Sequence, residues 1–348
     1  MTNQQNWASY SSPLNLPLVV IKDTSQPLVS IVTPSFNQGK FIRETIESVL
    51  SQDYPNIEYW VIDGGSQDET VSICKEYEHD SRFHWLSEKD RGHADAVNKG
   101  WCRCRGEIFG WLNSDDTYLA SAVRTQVNYL AAHLDVDVVY GDCLFIDANS
   151  KPTGKYWGRP FSLYQQLRYS CVPQPTAFLR AQTVRDVGPL DLSLRLALDV
   201  EYWLRIGLHH QIRHNPHEIA TYRFHDESAT ISQVVAFNQY LKQIVDTFYA
   251  QEAIPKLLSQ KKSSIYADLM LSLGTSYAKS QQPREALKYL RRSFTYSSFR
   301  PRMLSLSLYI VESVTGIRLS KSLETRWMKF KNTRNQDVVA YSSTNEQG

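Results

Sequence analysis

Two adjacent carboxylates follow an apolar segment near the middle of the chain. Residues 108–112 are apolar, and the polar residues Asn113, Ser114, Asp115 and Asp116 come directly after them. Hard divalent cations prefer oxygen ligands, and Mg²⁺ is usually held by one or two carboxylates together with substrate phosphates. The pattern therefore predicts a buried strand that ends in a metal-binding loop. The alternative is a solvated turn in which an aspartate caps the next helix, because Asp is favoured in both places.

Three further polar clusters also follow predicted strands. In open α/β sheets, ligands bind at the carboxyl ends of the strands. Four clusters along one edge are difficult to explain as turns alone, and they predict a crevice for a nucleotide. Such a ligand needs a surface for its base, an acid for base or ribose groups, and a cation for its phosphates. The four clusters are residues 34–37, 63–68, 91–98 and 113–116.

The elements that must position these clusters alternate between strand and helix. This alternation indicates a parallel sheet with helical crossovers. Strands are predicted at residues 29–33, 57–62, 83–86, 108–112, 136–140 and 219–224. Helices are predicted near residues 41–50, 68–78, 92–104, 119–133 and 199–208, and from about Ser232 the pattern is helical only.

The length of 348 residues allows two domains of ordinary size. We predict a flexible leader at 1–26, an α/β domain at 27–232, a helical extension at 233–330 and a disordered tail at 331–348. The spacing of apolar and small residues within 270–290 resembles one tetratricopeptide repeat. An ordinary helical hairpin explains that spacing equally well.

Composition excludes some classes of protein. With 42% hydrophobic and 21% charged residues, the chain is typical of a folded domain, and its net charge of +2 gives no support to nucleic-acid binding. Five scattered cysteines favour reduced thiols and a cytoplasmic location, with the inner face of the membrane as an alternative. No apolar run approaches the roughly 20 residues that span a bilayer. Residues 302–317 could form an amphipathic helix, for which core packing is expected over membrane contact.

The chain resembles the inverting family-2 glycosyltransferases of GT-A fold over about residues 28–232. The resemblance is closest to members that build cell-surface or exported polysaccharides. It implies a GT-A nucleotide-binding fold of the α/β class, with a mostly parallel central sheet and an all-α C-terminal region. It also implies transfer of a sugar, with inversion, from a nucleotide-diphosphate sugar (UDP is expected) to a glycan or lipid-linked acceptor. The segments that carry it are residues 29–37, 48–52, 61–70, 91–100, 112–116, 198–205 and 222–225.

The resemblance implies roles for several residues on the nucleotide side. The base would be held at the end of the first strand, and an acid after the second strand would contact uracil or ribose. Many members have two acids in a row at that place, whereas this chain has Asp63-Gly64, which leaves the base contact open. The donor- and nucleotide-binding residues that it implies are Pro34, Ser35, Phe36, Asp63, Arg91, Asp95 and Asp116.

The resemblance also implies a metal site and a catalytic base. The segment Asn113-Ser114-Asp115 occupies the place of the family's Asp-x-Asp motif, with Asn in the first position. Asp115 and His225 would bind Mn or Mg, which bridges the two phosphates, although His225 is equally interpretable as an ordinary loop histidine. Asp199 matches the general base that deprotonates the acceptor hydroxyl. The alternative role of Asp199, in capping a helix, is compatible with catalysis. Gln174 falls in the stretch that is expected to face the acceptor.

Two other classes of protein were weighed. A degenerate scaffold, binding a protein partner through its helical C-terminus, is suggested by Asn113 and Gly64 in place of acids. Against it, Asp115, Asp116 and Asp199 are all present. A nucleotidyltransferase ranks last, because a Gly-rich basic loop does not follow the first strand. The expected partners are therefore a nucleotide sugar and an acceptor, without nucleic acid, and any membrane contact would be peripheral.

Overall fold

The computed structural model describes residues 26–225 and 233–296. The predicted leader and tail, as well as the predicted amphipathic segment 302–317, lie outside these residues apart from Gln26. Within the described residues, two compact units can be distinguished. One contains the described residues up to Gln233 together with Tyr240–Leu258, and the other contains Val234–Gln239 and the described residues from Ser259 onward. The predicted domain boundaries stay predictions.

The first unit begins with the predicted alternation of strands and helices. Its early elements are β1 (Val29–Ser35), α1 (Ile42–Leu50), β2 (Ile57–Asp63), α2 (Thr70–Glu76), β3 (Phe83–Ser87), α3 (His93–Trp101) and β4 (Ile108–Trp111). Strand β1 pairs in parallel with β2 and β4, and β2 pairs in parallel with β3. The parallel sheet predicted from the alternation is confirmed here.

The second half of this unit is more irregular than the sequence predicted. Its elements are β5 (Thr117–Tyr118), α4 (Ala122–Ala132), β6 (Val138–Ile146), β7 (Pro152–Tyr156), α5 (Leu163–Tyr169), a 3-10 helix (Gln174–Thr176), β8 (Phe178–Arg180), α6 (Ala181–Val187), α7 (Leu198–Gly207) and β9 (Ile212–Arg223). The short strand β5 was not predicted, whereas β7 and β8 lie within residues 141–180, for which the sequence predicts short strand-like pieces without definite bounds. Strand β8 has three residues and β5 has two, which are too few to show an alternating pattern.

All nine strands form one mixed sheet in the order β3-β2-β1-β4-β8-β6-β9-β5, with β7 paired to β6. Strand β8 is antiparallel to both β4 and β6, while β6 and β9 are parallel to each other. The carboxyl ends of β1 to β4 and of β6 and β9 therefore point toward the same edge of the sheet. This edge collects the polar clusters that the sequence analysis singled out.

Burial explains why the central strands read as continuous apolar runs. Every residue of β1 and β4 is buried, as expected for strands covered on both faces. Helix α1 covers the sheet with Ile42, Ile46 and Val49, which recur at helical spacing. Burying each such side chain stabilises the fold by about 1.5–3 kcal/mol.

The C-terminal helices are α8 (Val234–Tyr249), α9 (Lys256–Lys279) and α10 (Pro283–Tyr296). Within the second unit, the part of α9 from Ser259 onward packs against α10. Tyr277 and Tyr289 stack with their ring centroids 5.3 Å apart, and Ser293 Oγ donates to the carbonyl of Ala267 at 2.9 Å. The predicted helical structure is confirmed as far as Tyr296, the last described residue, whereas a tetratricopeptide repeat is not confirmed.

Two further expectations concern the oxidation state of the cysteines and the presence of membrane-spanning helices. All five cysteines are free, as predicted. Among the described residues, none of the helices has both the length and the apolar character that crossing a membrane requires.

Candidate active site

The two predicted metal ligands lie side by side. Asp115 belongs to the loop after β4, and His225 follows the end of β9. The Nε2 atom of His225 is 3.1 Å from Oδ2 of Asp115, although the two residues are 110 positions apart. The Asp115 side chain is 23% exposed and that of His225 only 6%. The fold thus creates a pair of ligating atoms with one side open to a ligand.

This pair fits a hard divalent cation. Carboxylate oxygen suits Mn and Mg, imidazole is a common metal ligand, and such ions complete their coordination with water and substrate phosphates. In the chain as described, 26–225 and 233–296, no group of three or more His, Cys, Asp or Glu side chains is placed to hold an ion. Asp115 and His225 would leave coordination positions open for further ligands, among them substrate phosphates.

A buried arginine holds the loop that carries Asp115. Arg223 is 1% exposed. Its backbone N–H donates to Oδ1 of Asp116 at 2.9 Å, and its Nε donates to the carbonyl of Asp115 at 2.7 Å. The same guanidinium donates to Glu44 Oε2 at 2.6 Å and to Ser150 Oγ at 2.8 Å. Sequence reasoning missed this role, although the stretch Tyr-Arg-Phe-His that contains Arg223 was noticed.

Asp116 is packed inside the protein. It is 2% exposed, and burial together with the neighbouring Asp115 carboxylate raises the pKa of Asp116 well above its usual range. Thr45 Oγ1 donates to the carbonyls of Ser114 and Asp116 at 3.0 and 2.8 Å. Asp116 thus links the metal loop to β9 and α1. A contact between its carboxylate and the donor sugar stays a prediction.

Asp63 organises the turn after β2. The residue is fully buried, and its Oδ2 accepts hydrogen bonds from the backbone N–H groups of Gly65 and Ser66 at 3.1 and 2.9 Å. The same oxygen accepts from Ser87 Oγ at 2.6 Å. The buried carboxylate therefore fixes the backbone of this loop. Its contact with the nucleotide stays a prediction.

A different acid lies where a second acid would follow Asp63. A Cβ atom built on Gly64 would lie 2.8 Å from Oδ2 of Asp90, which belongs to the loop between β3 and α3. Asp90 Oδ1 accepts a hydrogen bond from the N–H of Gly92 at 2.8 Å, and burial raises the pKa of Asp90. Gly92 has a φ of 113°, which favours glycine. Sequence reasoning missed Asp90, because its proximity to Gly64 depends on the pairing of β2 with β3.

Arg91 and Asp95 pair with each other at the start of α3. Arg91 Nη2 donates to Asp95 Oδ1 at 3.0 Å, and its backbone N–H donates to Oδ2 at 3.1 Å. Burial by itself raises the pKa of Asp95, but these hydrogen bonds outweigh that effect, and the pKa is lowered. The Arg91 side chain is 70% exposed, so the guanidinium is accessible from solvent.

The end of β1 presents an aromatic ring to solvent. Pro34 and Ser35 complete β1, and Phe36, directly after it, is 59% exposed. Ser35 Oγ is buried and finds no hydrogen-bond partner within the described part of the chain. The exposed ring offers a flat surface of the kind on which a planar base stacks.

Asp199 lies in the first turn of α7. The preceding cap residue is Ala197, in the left-handed conformation, so Asp199 is not itself the cap. Although Asp199 is partly exposed, desolvation by the surrounding protein raises its pKa to about 6. Backbone N–H groups of Val200 and of Asp199 itself partly oppose this shift. A carboxylate with this pKa is a stronger base than an ordinary aspartate and is still ionised at pH 7.

Two sets of buried contacts hold the segment that leads into α7. Arg205 pairs with Glu201 through Nε at 2.9 Å and donates to the carbonyls of Val187 and Pro189, both at 2.8 Å. The Asn98 side chain exchanges two hydrogen bonds with the backbone of Leu190, at 3.0 and 2.9 Å. Through the bonds between Asn98 and Leu190, the segment before α7 is attached to α3. Helix α7 carries Asp199, and the start of α3 lies next to Arg91 on the nucleotide side.

A polar and aromatic group surrounds the end of β4. Gln174 Nε2 donates to the carbonyl of Trp111 at 2.6 Å, and Trp111 Nε1 donates to Asn113 Oδ1 at 3.1 Å. The His93 ring lies edge-on to Trp111, with centroids 5.4 Å apart. Although part of this residue is exposed, desolvation lowers the pKa of His93 to about 4, so the imidazole is neutral at pH 7. His93 was not predicted, because its proximity to β4 depends on the packing of α3.

Comparisons with known proteins agree with this geometry. The model of glycosyl transferase family 2 matches residues 30–183. An uncharacterized glycosyltransferase of Mycobacterium tuberculosis (strain H37Rv) is 34% identical over 192 residues, which cover 53% of this chain and 71% of that protein. One of Rickettsia typhi is 27% identical over 63% of this chain and 71% of the relative.

The coverage of other relatives is lower. The match spans 58% of a Rickettsia prowazekii glycosyltransferase and 39% of one from Rickettsia bellii. It spans 26% of the chondroitin synthase of Escherichia coli, at 28% identity over 52% of this chain. The match thus covers only part of the length of each of these relatives.

Solved structures share the fold. Staphylococcus aureus TarS 1–349 in complex with UDP-GlcNAc superposes with a TM-score of 0.57 at 16% identity, covering 82% of this chain and 87% of that one. The mannosyltransferase PcManGT of Pyrobaculum calidifontis, in complex with GDP-Man and Mn²⁺, has a TM-score of 0.57 at 18% identity and covers 90% and 94% of the two chains.

Proposed function

The chain belongs to glycosyl transferase family 2, and from this membership we propose that it transfers a sugar, with inversion, from a UDP-sugar to a glycan or lipid-linked acceptor. The observation that carries the proposal is the Asp115–His225 pair. Its Oδ2 and Nε2 atoms are 3.1 Å apart, and Arg223 holds the loop that contains Asp115. A pair of metal-ligating side chains at the sheet edge where the strand ends meet is what a metal-dependent sugar transfer requires.

Asp115 and His225 would hold a Mn or Mg ion. When bound, such an ion offsets the negative charge that develops on a diphosphate leaving group. The two protein ligands leave coordination positions for phosphate oxygens, so donor and metal would bind together. Arg91, whose guanidinium is exposed, supplies a further cation on the nucleotide side.

Asp199 would act as the general base. The acceptor hydroxyl oxygen forms a bond to the anomeric carbon on the face opposite the diphosphate, and its proton passes to the Asp199 carboxylate. The bond between the anomeric carbon and the phosphate oxygen breaks, and its electron pair leaves with the nucleoside diphosphate. One displacement of this kind inverts the anomeric centre. General-base assistance contributes roughly 10²–10⁴-fold to the rate.

Nucleotide recognition would depend on Phe36 and Asp90. The exposed Phe36 ring would stack on the base. Asp90, whose Oδ2 lies beside the Gly64 position, would supply the acid that recognises base or ribose donors in place of a second acid after Asp63. Asp63 and Asp95 would support these contacts by shaping the loops that carry them.

UDP is proposed as the nucleotide on the basis of the family resemblance and of the fold shared with TarS, whose structure contains UDP-GlcNAc. The fold shared with PcManGT, whose structure contains GDP-Man, makes GDP the competing nucleotide. The similarity to a chondroitin synthase supports a role in polysaccharide synthesis.

The test is a panel of UDP- and GDP-sugars, assayed for binding by calorimetry and for release of the diphosphate, with Mn²⁺, with Mg²⁺ and with EDTA. We expect one UDP-sugar to bind in a metal-dependent manner and to release UDP slowly without acceptor. NMR of the product formed with an acceptor then determines the anomeric configuration. Well-folded protein that binds none of the donors would contradict the proposal and favour the scaffold function suggested by Asn113 and Gly64.

A further inference from the structure

Helix α10 has one face turned into the second unit and one turned to solvent. Ala286, Leu290 and Ser293 are buried at helical spacing, and Ser293 Oγ bonds to the carbonyl of Ala267. These contacts assign the inner face of the helix. The residues on the other side are therefore free to serve a purpose other than packing within this unit.

The outward side combines cations with apolar side chains. Arg284, Lys288 and Arg291 are exposed and recur at the spacing of one helix face. Leu287 and Phe294, two turns apart beside them, are 38% and 47% exposed. We call these five residues the basic face.

The charge of the second unit supports a role for this face. From Ser259 to Tyr296, the last described residue, the chain contains seven Lys and Arg residues against two Asp and Glu, whereas the preceding 258 residues contain 23 against 30. The near-zero net charge of the whole chain conceals this separation. Lys288 pairs with Glu285 at 3.0 Å, but both side chains are about half exposed and such surface pairs are weak.

We propose that the basic face binds the surface of an anionic phospholipid bilayer. A helix that lies in the interface inserts apolar side chains among the lipids and holds its cations near the head groups. Leu287 and Phe294 fit the first requirement, and Arg284, Lys288 and Arg291 fit the second. An anionic glycan would use the cations and could stack on the Phe294 ring but would have no use for the exposed Leu287, so the two apolar side chains together favour a lipid surface. This inference goes beyond sugar transfer and does not depend on it.

The test is co-sedimentation of the full chain with vesicles, without any nucleotide sugar. We expect binding to vesicles of phosphatidylglycerol and phosphatidylcholine, and none to phosphatidylcholine alone. Each Lys or Arg near an anionic surface strengthens binding roughly fivefold. The double variant Arg284→Glu and Arg291→Glu should therefore lower the partition coefficient by at least roughly tenfold.

Two matched variants separate docking by this face from general adsorption. Lys75→Glu with Lys151→Glu makes the same change in net charge at exposed positions of the first unit, and should stay within about twofold of the wild type. Phe294→Ala keeps the charge and should lower binding several-fold. The proposal is overturned if the wild type does not sediment with anionic vesicles. It is equally overturned if the two double variants lose binding equally, or if Phe294→Ala binds like the wild type. Circular dichroism verifies that each variant is folded.

Discussion

The loops on the two sides of the candidate active site are built differently. On the nucleotide side, residues 63–66 and 88–95 combine bonds between near neighbours with bonds to adjacent strands, such as Ser87 Oγ to Asp63 Oδ2. Asp63 accepts from Ser66 three residues on, and Asp90 accepts from Gly92 two residues on. On the metal side, residues 113–116 depend on distant partners. The His225–Asp115 contact spans 110 residues and the Arg223–Asp116 bond 107.

This difference predicts how damage spreads. A loop that is held in part by its own neighbours can lose one contact with less disturbance of the rest of the sheet. A loop that is held by α1, β9 and a buried arginine responds to any change in those elements. Substitutions on the metal side should therefore couple activity to stability, whereas those on the nucleotide side should act locally.

The largest effect is expected from Asp115→Ala. The variant loses one of two protein ligands, and metal assistance is worth several kcal/mol of transition-state stabilisation, so turnover should fall about 10³-fold or more. Calorimetry should show donor binding that no longer responds to Mn²⁺. Asp186→Ala, which removes an exposed acid on α6, is the control and should leave both properties unchanged. Metal-dependent binding that persists in Asp115→Ala would refute the assignment of this ligand.

The substitution Asp199→Asn should lower kcat by about 10²–10⁴-fold while donor binding survives. Because the base must be ionised, wild-type activity should fall as the pH drops below the Asp199 pKa of about 6.

Stability should respond to Asp199 in the opposite direction. Burial raises the folded-state pKa above the unfolded value, so the folded state binds more protons and wild-type stability declines as pH rises from about 4 to about 6. Asp199→Asn should remove this decline and stabilise the protein at pH 7 by up to about 3 kcal/mol. Thermal unfolding across this pH range provides the measurement. The quantity to compare is the gain in stability of Asp199→Asn over the wild type. If this gain is no larger at pH 7 than at pH 4, Asp199 is not desolvated in the folded protein.

The next prediction compares substitutions of two buried arginines, Arg223 and Arg205. Arg223→Met should weaken Mn²⁺-dependent binding roughly 10–100-fold, because it removes the support of a metal ligand. It should also cost about 2–3 kcal/mol of stability, since the Asp115 carbonyl and the Glu44 carboxylate lose a charged donor. Arg205→Met removes a similarly buried guanidinium, which pairs with Glu201, and should lower stability without affecting metal affinity. If the two variants weaken metal binding equally, Arg223 has no specific role in the metal loop.

The smallest effect is expected from Asp90→Ala on the nucleotide side. Loss of one charged hydrogen bond should weaken UDP binding by roughly tenfold, with little change in melting temperature or Mn²⁺ dependence. Gly64→Asp alone should also be harmful, because its Cβ would meet Asp90 Oδ2 at 2.8 Å. Combining the two substitutions should restore UDP affinity by moving the acid to the neighbouring strand end. A double variant no better than the worse single one would argue against this exchange.

The sequence predicted the parallel half of the sheet with good bounds. The alternation of apolar strands with amphipathic helices placed β1 to β4 and their helices, because each segment is long enough to show its own periodicity. The antiparallel half was predicted poorly. Strands as short as β5 and β8 take their conformation from neighbouring strands, so their own residues carry little signal.

The sequence by itself determined the class of enzyme, which family membership confirms. The family resemblance predicted Asp115, His225 and Asp199 as site residues. Only the tertiary structure decided which of these groups meet. It brought His225 to Asp115, buried Asp63 and Asp116 as supports, and placed Asp90 against Gly64. The physical reason is that contacts across about a hundred residues follow from how strands order and helices pack, and neither is encoded in any single segment.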